Sequence, residues 1–170
     1  IDTSLEPYNN GKNTVIAYGG GMDSTAIALL FPEFSLIHTN NRPKHKNAMK
    51  GFMDNLKNKS YMIDSNCTDL CKPGGFTTFT NIFLSVLLLS SDLNIKNICC
   101  GEILEAICLS NGSKYYPQFD PKRRNRWIRF YNNIGINVFS PTAGCSELIT
   151  SKIVFNHKLS DKVLFCQSNK

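Results

Sequence analysis

The sequence predicts an α/β protein: a doubly wound parallel sheet with helices on both faces. Three observations point there. Short apolar runs alternate with helix-length stretches along most of the chain. A strand, three glycines and a helix start follow one another at Thr14–Ile27. The polar segments after the apolar runs suit the carboxyl-end rim of such a sheet, where ligands sit at the topological switch point.

Residues 1–13 read as a leader or linker, and residues 14–170 as one domain large enough for a core. The first strand is expected at Thr14–Tyr18, followed by a helix to about Leu30 that Pro32 stops. Ser35–Thr39 is the second strand. Lys44–Lys57 reads as an amphipathic helix with Ala48, Phe52 and Leu56 on one face. Tyr61–Ile63 is a short third strand, and Thr78–Leu93 a buried apolar helix. Asn97–Cys100 is the fourth strand, and Arg124–Asn133 a helix that Gly135 closes. Asn137–Phe139 is the fifth strand. Ser146–Phe155 is a helix with Ser146 as N-cap, and Val163–Phe165 reads as a last strand.

Composition narrows the class. Hydrophobic residues make up 42% and charged residues 19%, as in ordinary globular proteins. The net charge of +6 favours anionic ligands such as nucleotides, phosphate or nucleic acid. The longest apolar run, Ile82–Leu89, is too short to span a bilayer, and residues 1–13 carry no signal-peptide pattern. Seven scattered cysteines suit reduced thiols in cytoplasm better than a disulfide framework.

The stretch with most chemistry is Tyr18-Gly19-Gly20-Gly21-Met22-Asp23-Ser24-Thr25. Consecutive glycines permit a sharp turn and a close ligand. The helix that follows offers N–H groups without intrahelical acceptors, a ready anion site. A Walker A loop would end Gly-Lys-Ser/Thr, whereas this one ends Asp-Ser. Gly20-Gly21-Met22-Asp23-Ser24 resembles the pyrophosphate loop of the PP-loop ATPases, with Gly19 where that family has its first serine. The resemblance implies ATP and Mg²⁺, with AMP and pyrophosphate as products of substrate adenylation. On this reading Tyr18, Gly19, Gly20, Gly21, Met22, Asp23, Ser24 and Thr25 bind the nucleotide, together with His38, Thr39 and Gly101. The adenine is expected by the second strand, against Ile37, His38 and Thr39. Asp23 is expected to bind Mg²⁺, and Asp23, Ser24 and Glu102 are the catalytic candidates.

Further motifs, in order, are similar to those of 7-cyano-7-deazaguanine synthase, a PP-loop family. They are Lys72-Pro73-Gly74-Gly75, Gly101-Glu102, Tyr115-Tyr116-Pro117, Phe139–Glu147 and Leu164–Gln167. This resemblance implies a deazapurine carboxylate and ammonia as substrates. It places Glu105, Tyr116 and Pro117 at the substrate, and Cys166 in a zinc site whose other cysteines would lie beyond Lys170. The chain has Gly75-Phe76 where that family has Arg-Asn, and departs from it again at Gln118 and Phe119. It also lacks the family's lysine near Glu147.

Other features have two readings each. His38 is an adenine contact or a structural histidine; Glu102 and Glu105 bind metal or substrate, or lie in a solvated loop. Cys67 and Cys71 alone are too few for a zinc site, and at least one of Cys99 and Cys100 belongs to the core. The basic run Lys122–Arg129, with Trp127, is a solvated face or an anion and RNA contact. Three functions follow. The first is an AMP-forming enzyme on a small deazapurine-like acid. The second is a PP-loop enzyme acting on a macromolecule, tRNA or protein. The third is a nucleotide-binding subunit without catalysis. A homodimer is a further expectation.

Overall fold

The computed structural model describes residues 11–40, 46–66, 78–104, 109–110, 114–115, 128–159 and 163. Five strands form one parallel sheet: β1 (Asn13–Ala17), β2 (Ser35–Asn40), β3 (Ser60–Asp64), β4 (Ile95–Cys100) and β7 (Asn137–Phe139). Their spatial order is β3-β2-β1-β4-β7. The chain runs outward from β1 through β2 to β3, then returns to the other side of β1 for β4 and β7. The switch point therefore lies between the carboxyl ends of β1 and β4, which pair directly from Asn13↔Ile95 to Ala17↔Cys100. A second, two-stranded antiparallel sheet joins β5 (Leu109–Ser110) to β6 (Lys114–Tyr115).

Alternation along the buried strands divides the core in two. Ile16, Tyr18 and Leu36 point to one face, where they meet α1 (Met22–Leu30), α2 (Lys46–Met53) and α4 (Glu147–Asn156). Val15, Ala17, Ile37 and Ile98 point to the other. There they meet α3 (Thr78–Leu88) through Phe83 and Val86, and the helical residues 128–133 through Tyr131. Both faces of the sheet are covered, as an all-parallel sheet requires. Among the described residues, no helix is long and apolar enough to cross a membrane.

Several expectations shift. The buried stripe is Met49, Phe52 and Met53 on α2 with Leu56 in the turn beyond it, and Ala48 is exposed. Burying Met49 covers far more apolar area than a single methyl group would. α3 ends at Leu88 rather than Leu93, because Leu89–Asn94 form turns that close on Asn94 at φ 52°. Its outer side exposes Leu84 and Leu88, so the helix is not buried all round. Gly135, at φ 81°, stops the preceding helix as its position requires. Ser146 occupies the N-cap of α4, yet its side chain makes no capping hydrogen bond. Val163 is an isolated buried bend, and Leu164 and Phe165 lie outside the described residues.

Candidate functional site

The loop between β1 and α1 is fixed from below and from the sides. Tyr18 is fully buried, and its hydroxyl hydrogen-bonds Thr25 Oγ1 at 2.9 Å. Thr25 Oγ1 in turn donates to the Gly21 carbonyl at 2.8 Å. Burial raises the Tyr18 phenol well above its ordinary range, so it is a neutral anchor. Thr25 thus faces the core, and its hydroxyl is occupied inside the loop. Ser24 Oγ donates to the same Gly21 carbonyl at a longer 3.2 Å. His38, on β2, donates from Nδ1 to the Tyr18 carbonyl at 2.9 Å. Burial lowers its pKa, against the opposing pull of that hydrogen bond, so the ring is neutral near pH 7. Thr39 donates to Ser85 Oγ on α3. Ile37, His38 and Thr39 are all buried; His38 supports the end of β1 and Thr39 ties β2 to α3.

The glycines separate into two duties. Gly20 has φ 79°, a left-handed conformation that a side chain disfavours. Gly21 is the N-cap of α1, in extended conformation and with no side-chain cap. A Cβ on it would meet nothing within 4 Å. The first turn of α1 therefore opens onto space beside a side-chain-free cap, an arrangement suited to an anion.

The β4 exit closes against this turn. A Cβ on Gly101 would lie 2.7 Å from Ser24 N and 3.1 Å from the Asp23 carbonyl carbon. Glu102 follows directly, and the segment after β7 holds its backbone. Ser140 Oγ donates to the Glu102 carbonyl at 2.7 Å and accepts from its N–H at 3.2 Å. Thr142 Oγ1 donates to the same carbonyl at 3.0 Å, and Leu104 N–H to the Cys145 carbonyl at 2.9 Å. On the opposite flank, Asn40 Nδ2 and Lys46 Nζ both donate to the Asp64 carboxylate. Those two bonds lower the Asp64 pKa.

The structure thus brings Gly19–Thr25, His38, Thr39, Gly101 and Glu102 to one end of the sheet. Glu105, Tyr116, Pro117 and Cys166 lie outside the described residues, as do Cys67, Cys71 and Lys122–Trp127 of the basic run. Among the described residues, no group of three or more His, Cys, Asp or Glu side chains could hold a metal ion by itself. Cys99 and Cys100 are both buried, on opposite faces, and burial pushes the Cys99 thiol up to about 12. Both belong to the core. Sequence reasoning missed Ser140 and Thr142 as the clamp on Glu102. It also missed Thr150, which donates to Asp23 Oδ1 at 2.7 Å from α4. No local pattern announces contacts between segments so distant in sequence.

The five-stranded parallel sheet of this order, with a glycine loop at its switch point, is an adenine nucleotide alpha-hydrolase-like fold. The chain is similar in structure to the U34-tRNA thiolase NcsA from Methanococcus maripaludis, solved with its [4Fe-4S] cluster. The TM-score is 0.63 at 12% sequence identity, and the match covers 95% of this chain and 61% of that one. The chain therefore spans less than two thirds of that protein's length. Residues 126–169 match a family of unknown function (DUF6395). No curated protein matches the sequence.

Proposed function

We propose that residues 14–170 form an ATP-dependent PP-loop enzyme domain that adenylates an acceptor on a macromolecule, with tRNA as the favoured acceptor. The observation that carries the nucleotide half is the open, side-chain-free cap at Gly21, set beside the close approach of Gly101 to Ser24. The fold likeness to a tRNA thiolase, the net charge of +6 and the basic run Lys122–Arg129 support the macromolecular acceptor. The departures from the deazapurine motifs, at Gly75, Phe76, Gln118 and Phe119, weigh against the small-acid acceptor.

In this reading the N–H groups at Gly20–Ser24 hold the terminal phosphates of ATP. An acceptor oxygen attacks the α-phosphorus, the bond from that phosphorus to the bridging oxygen breaks, and pyrophosphate leaves with the bonding electrons. A second nucleophile then displaces AMP from the activated acceptor. Ser24 Oγ, whose bond to Gly21 is long, is free to turn to a phosphate oxygen. Glu102, fixed through its backbone by Ser140 and Thr142, is the described residue assigned to the acceptor side. Asp23 and the phosphates would hold a Mg²⁺, which would supply charge neutralisation of the leaving pyrophosphate. Among the described residues, no group of three or more His, Cys, Asp or Glu side chains is gathered that could hold zinc or an iron–sulfur cluster. Most of the rate enhancement would come from positioning and charge stabilisation.

The test is pyrophosphate release from ATP with no acceptor, with unmodified tRNA, and with the deazapurine acid. Release stimulated by tRNA supports the proposal. Stimulation by the acid instead returns the synthase reading. ATP binding without turnover in any arm leaves a nucleotide-binding subunit.

A further inference from the structure

Asp23 poses an electrostatic problem for an anion site. It is the second residue of α1, an acidic residue in the turn whose N–H groups would receive a phosphate. Two like charges there repel unless the carboxylate is restrained and its charge stabilised. Thr150, fully buried on α4, does both. Its Oγ1 lies 2.7 Å from Asp23 Oδ1 and 3.1 Å from the Glu147 carbonyl. A hydroxyl has one proton to give, and the shorter, charge-assisted contact is the one to the carboxylate. The contact spans 127 residues of sequence and joins the first turn of α1 to the fourth residue of α4. It lies where the two helices pack on the same sheet face.

We infer that Thr150 is a positioning residue for the nucleotide site: its hydroxyl holds the Asp23 carboxylate in the orientation that lets the loop accept the phosphates and their cation together. The inference rests on the nucleotide reading above and adds a residue that the loop motif does not contain. α4 thereby becomes part of the nucleotide site through the same inner side that buries Val154, while Leu148 and Phe155 are exposed on its outer side. Loss of the hydroxyl removes a donor to a charged group and weakens the hold on the carboxylate's orientation. Thr150→Val preserves shape and deletes the donor. Thr150→Ser keeps the donor and loses a methyl group.

The experiment is calorimetric titration of the full chain with ATP, with and without Mg²⁺, for wild type, Thr150→Val, Thr150→Ser and Asp23→Asn. Wild-type binding of ATP tests the nucleotide reading by itself; its absence overturns that reading regardless of the variants. Given wild-type binding, Thr150→Val is expected to weaken Mg²⁺–ATP by about tenfold, the scale of a hydrogen bond to a charged group. Thr150→Ser is expected to restore most of that loss. The ratio of affinities with and without Mg²⁺ should fall in Thr150→Val, which a purely structural tie would not cause. In Asp23→Asn, adding Thr150→Val should cost little more, because the partner charge is gone. Unchanged Mg²⁺–ATP affinity in Thr150→Val overturns the inference. So does an equal loss with and without the metal. If Thr150→Val does not fold, Thr150→Ser and Thr150→Ala carry the comparison. Equal affinities in those two overturn it as well.

Discussion

Gly101 and Ser24 are packed so closely that a Cβ on the glycine would sit 2.7 Å from the serine's amide nitrogen. The carboxyl end of β4 is thereby pressed against the first turn of α1, and the two sides of the switch point become one wall. Backbone cannot retreat there as a flexible side chain would. Gly101→Ala is therefore expected to destabilise the protein by about 1–3 kcal/mol, the usual cost of overpacking. It should also displace the first turn of α1 and weaken ATP binding. Urea denaturation and nucleotide titration of the same preparation check both halves.

The neighbouring glycines predict opposite stability effects. Gly20 is at φ 79°, so Gly20→Ala should cost about 1–2 kcal/mol, the penalty of the left-handed region for an L-residue. Gly21 is at φ −84° with open space where its Cβ would be. Gly21→Ala should leave stability unchanged or raise it by about 0.4–1 kcal/mol through the unfolded chain. Its methyl group would nevertheless project into the space proposed for phosphate. Normal denaturant stability with lost ATP binding in Gly21→Ala, and lowered stability in Gly20→Ala, is the expected pair of results.

The motif that mattered most was legible, and its supports were not. The strand, the three glycines, Asp23-Ser24 and the helix start all fall where local pattern places them. The five strands of the main sheet are within a residue or two of expectation, because their buried apolar runs are bounded by polar or turn residues. Gly101 was readable as a rim residue, but not as the contact partner of Ser24. The Thr150–Asp23 bond and the Ser140–Thr142 clamp on Glu102 were invisible. Each joins segments that only the order of strands in the sheet brings together. Of the expected stripe, Phe52 and Leu56 are buried and Ala48 alone is not, because Ala48 and Met49 both fit a helical period and only side-chain volume separates them.

His38 couples stability to pH. Its folded pKa lies below the ordinary value of 6.5, chiefly because burial disfavours the charged ring. The unfolded chain therefore binds the proton more readily. The stability contribution is present above pH 6.5 and is lost as pH falls through the lower folded value. Wild-type protein should lose stability on acidification through this window, and His38→Gln should lose less across it. Denaturation midpoints at several pH values between 7.5 and 5 provide the measurement.

Burial also predicts which thiols are silent. With its pKa pushed up to about 12, Cys99 has essentially no thiolate at pH 8, and Cys100 is buried beside it. Cys145, at the rim, is half-exposed. Maleimide labelling of native protein, mapped by peptide mass, should mark Cys145 well before Cys99 or Cys100. Denaturant should abolish the difference.

The central claim is that the β1–α1 loop binds ATP for cleavage between its α- and β-phosphates. The most direct measurement is chromatography of the nucleotide products formed from ATP and Mg²⁺ with tRNA, for wild type and Gly21→Ala. The account predicts AMP and pyrophosphate in equal amounts from wild type, dependent on tRNA and absent in Gly21→Ala. ADP and phosphate as the products, or AMP formation unaffected by Gly21→Ala, would contradict it.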